Sequence, residues 1–343
     1  MTQTMTLTPP SPPRHAVPAP RRVLRGRPTL EALRPVLADS PLIVLDGGAR
    51  NGTFETPNLA PYTHVYGFEP NNEEYQKLLT GKTDLYKACG EKTPKYAKVI
   101  WCPAALADTD GRRTLHITKG PGACSLMRPN FRLINTYATT YAEVFEIIRT
   151  ETVDCSTLAT VLQRYQIDEV DYIKLDTQGN EYEILFADPA VLERISVIKS
   201  EVELIQTYEG QRLFHDMDGA LRQTGYHFVD FLIGPEKRIG RNQLVTPRGI
   251  NELLWADAYW ARTLHVEERR ENPLRAFKQA LVLMDLGYIE YGLYLLTLLD
   301  PHELPVEAVR AYYASDRRPL KRFIPASIKT AIKRIYRRLA GLT

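Results

Sequence analysis

Three groups of residues in this chain have types and spacings that could do chemistry. The first is Asp46-Gly47-Gly48-Ala49-Arg50-Asn51-Gly52, a carboxylate followed by a glycine turn. A dinucleotide fingerprint needs G-x-G-x-x-G around a pyrophosphate, whereas here the order is acid-x-Gly-x-x-x-Gly. No Gly-Lys-Ser/Thr follows, which excludes a Walker-type phosphate loop. An acid at this point suits a ligand that carries positive charge, such as the amino group and sulfonium of S-adenosylmethionine. The glycines allow a sharp turn and a close approach, since a Cβ at Gly48 or Gly52 is expected to fill space the ligand needs. Glu69, in Glu69-Pro70-Asn71, follows at close to the ~20-residue separation at which an acid meets ribose hydroxyls. The blander reading is that Asp46 caps a helix and Glu69 is a surface acid.

The second group is Lys174-Leu175-Asp176-Thr177-Gln178-Gly179-Asn180. Side chains alternate along a strand, so Lys174 and Asp176 point the same way and form either a proton-handling pair or a structural ion pair. The third is Glu201 and Glu203, which share a strand face by the same period. If that face is buried they need partners or a task. His64, His116, His215 and His227 are scattered and show no metal-ligand spacing, so no metal is expected.

The elements that must position these groups follow from the apolar pattern. Leu42 to Leu45 is a continuous apolar run closed by glycines, the mark of a strand buried on both faces of a parallel sheet. Val65 to Phe68, Val99 to Cys102, Ile147 to Val153, Val170 to Leu175, Ser196 to Leu204, Tyr226 to Phe231 and Glu252 to Trp260 read as further strands. Thr114 to Ile117 alternates and is expected to form a hairpin with what precedes it. Helices are expected after Asn71, after Thr157, from Glu181, over 212–222, and over 273–284 and 288–299. Strands alternating with helices and closing in a strand pair describe an α/β fold: a Rossmann-like, doubly wound, mostly parallel sheet with an antiparallel edge.

With 343 residues, 44% hydrophobic and 25% charged, the chain has ample material for a globular core. A formal net charge of +3 is too small to imply nucleic-acid binding. Cys89, Cys102, Cys124 and Cys155 lack paired or zinc-type spacing and read as reduced thiols of a cytoplasmic protein. No signal peptide or membrane span is expected. The expected organisation is a disordered proline-rich stretch over 1–25, a main domain over 26–265, a helical hairpin over 266–315 and a basic tail over 316–343. In that tail Lys321, Arg322, Lys329, Lys333, Arg334, Arg337 and Arg338 alternate with Ile328, Ile332, Ile335 and Leu339 at helical spacing. Such a helix suits peripheral contact with an anionic membrane or a protein partner.

At these residues the chain resembles the FkbM family of S-adenosylmethionine-dependent methyltransferases. The likeness runs from Asp46–Gly52 through Tyr66-Gly67-Phe68-Glu69-Pro70-Asn71, Ala105-Leu106-Ala107-Asp108 with Gly111, Cys124-Ser125-Leu126 and Glu151-Thr152-Val153. It continues in Ile173 to Glu181 and in the run from Glu201 to Gln211, and covers about 42–264. The resemblance implies methyl transfer to a hydroxyl of a sugar, glycan or secondary metabolite. It implies that Gly48 and Gly52, with Ala49 and Asn51, approach the methionine part of the donor. Asp46 would hold the donor's amino group, Glu69 with Pro70 and Asn71 its ribose, and Asp176 would lie beside the transferred methyl. One departure is Gln178, where the family commonly has Glu.

The catalytic candidates are therefore Asp176, Lys174 and Glu201, with Asp176 as base or as the group that orients the hydroxyl. Two other classes stay in view. One is an inactive donor-binding scaffold. The other is a nucleic-acid methyltransferase, which only the basic tail supports; no nucleic acid is expected.

Overall fold

The computed structural model describes residues 29–241, 250–299 and 304–315. The proline-rich 1–25 stretch and the basic 316–343 tail lie outside the described residues. The strands are β1 (Leu42–Gly47), β2 (Thr63–Phe68), β3 (Lys98–Cys102), β4 (Ala105–Leu106), β5 (Gly111–Thr118), β6 (Ile147–Ser156), β7 (Val170–Leu175), β8 (Ile195–Glu203), β9 (Tyr226–Leu232), β10 (Arg238–Ile239), β11 (Glu252–Leu253) and β12 (Trp255–Arg262). Seven of them form the main sheet in the order β3-β2-β1-β7-β8-β12-β9, with β12 antiparallel to both of its neighbours. The apolar runs thus give the doubly wound sheet they predict. Its order reverses between β1 and β7, where such sheets open a crevice at their carboxyl ends.

The Thr114–Ile117 strand does not pair with what precedes it. β5 pairs antiparallel with β6, which also carries β4 in parallel, as a separate three-stranded sheet. Alternation identified the strand but could not identify a partner some thirty residues on, because period fixes the face and not the neighbour. Glu252 to Trp260 is likewise two strands, β11 and β12. Helix starts follow their caps: Asn71 Oδ1 accepts from Glu73 N and Glu74 N ahead of Asn72–Leu79, and Thr157 Oγ1 from Thr160 N ahead of Leu158–Tyr165.

Each face of the sheet is buried. On one, Leu45, Ile173, Leu175, Ile198 and Trp260 pack against helices Leu158–Tyr165, Glu181–Phe186 and Phe214–Gln223. On the other, Val44, Val65, Tyr172, Val197 and Ala261 pack against helix Pro273–Asp285. Residues 48–62, which join β1 to β2, contain no α-helix, only the 3-10 turn Ala60–Tyr62. The later helix covers the sheet there instead.

Ala276 through Asp285 are all buried, and a helix buried all round must satisfy its polar side chains. Lys278 Nζ donates to the Pro41 carbonyl (3.0 Å), and Gln279 Nε2 to the Ser196 (3.1 Å) and Arg262 (2.8 Å) carbonyls. Asp285 accepts from Asn58 N (3.1 Å) and Leu59 N (3.3 Å), so the helix end grips the β1–β2 connection. Burial raises its carboxyl to about 6 against these donors. The apolar members Leu281, Val282, Leu283 and Met284 each contribute about 1.5–3 kcal/mol by leaving water.

A third cluster roofs the carboxyl ends of β7 and β8. It joins Ala123, Ile134, Tyr137, Tyr141 and Phe145 to Tyr208 and Leu254.

Candidate active site

Register across the sheet sets the site out in rows. Val65, Val44, Tyr172, Val197 and Ala261 lie side by side beneath helix Pro273–Asp285. Two residues nearer the carboxyl ends of the parallel strands, on the same face, the next row is Gly67, Asp46, Lys174, Lys199 and, two residues back along antiparallel β12, Tyr259. Beyond it come Asp176, just past the end of β7, and Glu201 paired in register with Asp257. The face turns from apolar to charged at one height on three adjacent strands, and that height is the crevice.

Lys174 ties the crevice together. Its Nζ donates to the Gly48 carbonyl (3.0 Å) and lies 3.1 Å from Asp46 Oδ1 and 3.6 Å from Asp176 Oδ2. Burial works against its charge, but Asp46 and Asp176 outweigh burial and hold its pKa above the usual lysine value. Burial also raises Asp46, and Lys174 only partly offsets this. Asp46 is 1% exposed and Glu69 5%, so neither is a surface acid and Asp46 caps no helix.

Glu69 follows β2 and its Oε1 accepts from Asn71 N (2.8 Å). Burial lifts its carboxyl to about 7, the Asn71 N–H opposing. Asn71 itself spends its side chain on the helix cap, and Pro70 links the two. Ala49 is buried and its N–H, like that of Gly48, donates to the Phe68 carbonyl, which draws the glycine turn against the end of β2. The Asn51 carbonyl accepts from Thr83 Oγ1 (3.0 Å).

Gly48 and Gly52 have φ of +80° and +84°, which favours glycine outright. What a side chain there would strike is the protein itself: the Asp176 carbonyl at Gly48 and the Tyr86 ring at Gly52. A side chain at either position thus meets the protein itself, the end of β7 at Gly48 and helix Asp84–Cys89 at Gly52.

On the other side of Lys174 the acids meet acids. Gln178 Nε2 donates to Asp176 Oδ1 (2.8 Å) and Glu201 Oε1 (2.7 Å), and Gln178 Oε1 accepts from the Tyr208 hydroxyl (3.0 Å). Burial pushes Glu201 well above the ordinary glutamate value, with Asp176 and Glu203 adding to it. Glu203, 4% exposed, is raised by burial and then by Glu181. Asp176 is the most open of these, its side chain 37% exposed.

The structure therefore brings Asp46, Gly48, Asp176, Lys174 and Glu201 into one crevice, with Glu69 beside it. It adds residues the motifs did not single out. Lys199 Nζ binds Glu55 Oε1 (2.9 Å) and approaches Asp257 (3.9 Å), while Lys237 Nζ binds Asp257 Oδ2 (2.7 Å) and Tyr172 donates to Glu55 (3.1 Å). Lys199 was findable, since it stands two residues before Glu201 as Lys174 stands before Asp176. Tyr86 carries no linear signal, and Tyr208 falls within the Glu201–Gln211 run of the resemblance without a role assigned to it.

A model of the methyltransferase FkbM domain matches residues 46–228, which is more than half of the chain and includes Asp46, Glu69, Lys174, Asp176 and Glu201. The chain belongs to the FkbM methyltransferase family. This FkbM protein is an S-adenosylmethionine-dependent methyltransferase, as the resemblance implies. It matches no curated protein sequence. Among known structures it is similar to the magnesium protoporphyrin IX methyltransferase of Synechocystis PCC 6803 with bound S-adenosylmethionine, at 12% identity over 68% of this chain and 77% of that one, TM-score 0.32. It is similar to the Burkholderia thailandensis 1,6-didemethyltoxoflavin-N1-methyltransferase at 14% identity over 68% and 79%, TM-score 0.30. A third is an rRNA methylase from Streptococcus thermophilus, at 11% identity over 70% and 99%, TM-score 0.28.

The crevice of this FkbM methyltransferase fits the donor chemically. Asp46 Oδ1 is a buried carboxylate oxygen whose cationic neighbour, Lys174 Nζ at 3.1 Å, is shared with the Gly48 carbonyl and with Asp176. A carboxylate oxygen has lone pairs for more than one donor, so a ligand ammonium adds to this neighbour rather than replacing it. Among the described residues no second donor reaches Glu69, which leaves it able to accept from a diol. No three His, Cys, Asp or Glu side chains among the described residues gather as a metal-holding group, and no helix there is long and apolar enough to cross a membrane.

Proposed function

We propose that the chain transfers a methyl group from S-adenosylmethionine to a hydroxyl of a sugar, glycan or similar metabolite. In this reading Asp46 holds the donor's amino group, Glu69 accepts from its ribose hydroxyls, and the turn from Gly48 to Gly52 lies along its methionine part. Bound there, the donor supplies a methyl carried by a sulfonium, which is already an excellent leaving group. The protein's work is then alignment and removal of one proton.

Asp176 takes the proton that the acceptor hydroxyl loses as its oxygen becomes methylated. Its openness leaves it reachable from outside the crevice. Lys174, whose charge is secured by two carboxylates, orients Asp46 and Asp176 and keeps its own proton. Glu201 stands beside Asp176 and orients the acceptor. The single observation that carries the reading is Lys174, which puts the acid of the donor side and the acid of the reacting side within one side chain's reach at the reversal of strand order.

A hydroxyl acceptor needs a base, and carboxylates supply one. Asp176, the open carboxylate of the crevice, also disfavours a polyanionic acceptor, which supports a small or glycan-like substrate over nucleic acid. Incubation of the purified chain with labelled donor and fractionated cell extract, followed by mass spectrometry, tests this. The expected product is a methyl ether. Labelled nucleic acid, or no association of S-adenosylhomocysteine by calorimetry, overturns the reading.

A further inference from the structure

The turn between β7 and the helix Glu181–Phe186 is held more firmly than a crossing loop requires. Gln178 has φ +64°, a conformation uncommon for any residue with a side chain. The Glu181 carboxylate accepts from Thr177 N (2.6 Å), Thr177 Oγ1 (2.9 Å) and Gly179 N (3.0 Å), and Ser125 Oγ donates to the Gln178 carbonyl (2.6 Å). Such backbone persists only where its surroundings fix it, and it gathers at functional sites.

This backbone aims an amide between two acids. Both Gln178 bonds to Asp176 and Glu201 require hydrogens, which an amide nitrogen has and a carboxylate lacks. The Tyr208 hydroxyl, which shares its hydrogen between Gln178 Oε1 (3.0 Å) and the Ala123 carbonyl (3.1 Å), sets which end of the amide faces the acids. Tyr208 is fully buried among Tyr141 and Phe145, so the orientation is anchored in the aromatic roof.

We propose that Gln178 is a positioning residue for methyl transfer, its amide holding the Asp176 and Glu201 carboxylates as a separated pair and occupying Asp176 Oδ1, so that Oδ2, 3.6 Å from Lys174 Nζ, is the oxygen that takes the acceptor's proton. The proposal rests on the reading of Asp176 as the base. Removing the amide frees two like charges to move apart or share a proton. Replacing it with a carboxylate puts three acids in contact, of which at least one must stay protonated. Glu201 is faced by Asp176 from the end of β7, Glu203 from its own strand, Asp257 from β12 and Lys237 ahead of β10, and all four remain in each variant.

The test compares Gln178→Met, which keeps the reach and loses the hydrogen bonds, with Gln178→Glu. Three quantities are read: methyl-transfer rate on the active extract fraction, S-adenosylhomocysteine affinity by calorimetry, and the titration midpoint of the Glu201 carboxyl by carbon-13 NMR, assigned by its loss in Glu201→Gln. Gln178→Met is expected to lose about 100-fold in kcat with unchanged S-adenosylhomocysteine affinity, as misplaced reacting groups do. The Glu201 midpoint should rise by about one unit, and by more in Gln178→Glu, whose rate profile also moves to higher pH. Should either variant fail to fold, Tyr208→Phe, which keeps the ring, is expected to shift rate and midpoint in the same direction by less. A wild-type rate and midpoint in Gln178→Met, alongside a crippled Asp176→Asn, overturns the proposal alone. A wild-type rate in Asp176→Asn overturns the base reading beneath it.

Discussion

The two sides of Lys174 handle negative charge in opposite ways. Toward β1 and β2, Asp46 faces the Lys174 ammonium and Glu69 a backbone N–H. Toward β7 and β8, Asp176, Glu201 and Glu203 face one another, and a neutral amide rather than a cation stands between the first two. Carboxylates that each already face a donor of the protein leave a ligand only the remaining atoms to fill, which suits a ligand of fixed shape and charge. Burial and the neighbouring acids hold the Glu201 and Glu203 carboxyls at raised values, which suits a place where a proton changes hands. The difference teaches that binding and reaction are separable here, although a single lysine touches both.

That separation can be broken or sharpened by substitution. The largest expected effect is Asp176→Asn, which should lower kcat by about 10³-fold while S-adenosylhomocysteine binding by calorimetry changes little; equal losses in both would merge the two sides. Lys174→Met should strike both at once, because it leaves Asp46 buried without its cation. A thermal or denaturant melt should show a loss of about 3–5 kcal/mol. Glu69→Ala should do the reverse of Asp176→Asn. Losing bonds to a charged group weakens donor binding by about 30- to 100-fold, and kcat at saturating donor should stay near wild type.

The smallest effect is a dependence on pH. The Glu69 carboxyl sits at about 7, above its ordinary 4.5, so the folded chain binds that proton more tightly than the unfolded one. Its contribution to stability is thus complete below 4.5 and is lost as pH rises through about 7. A ribose bound to the ionised form draws the proton off, so donor affinity should rise about tenfold from pH 6 to pH 8. Glu69→Gln should flatten that slope.

The donor side was the more legible in the sequence, and the reason is local. Asp46 and the glycines sit on one turn, Glu69 ends the next strand, and the caps at Asn71 and Thr157 declare their helices within four residues. The reacting side depends on registration between strands: Asp257 meets Glu201, and Lys199 meets Lys174, only once β8 is paired on both edges. Period-two alternation gives a side chain's face but never its neighbour. Gln178 illustrates the limit, since linear reading marks only a missing acid where the fold places a hydrogen-bond donor between two acids. The pairing of β5 with β6 was hidden for the same reason.

Helix Pro273–Asp285 has a consequence for biosynthesis. The glycine turn is synthesised more than two hundred residues before the layer that shields Val44, Tyr172 and Val197, which is complete only when residue 285 has emerged. Until then the nascent chain displays one whole side of its sheet, the kind of surface on which chaperones act and aggregates start. A stop codon placed between Arg262 and Pro273 should therefore yield insoluble protein even though every residue of the crevice has been made.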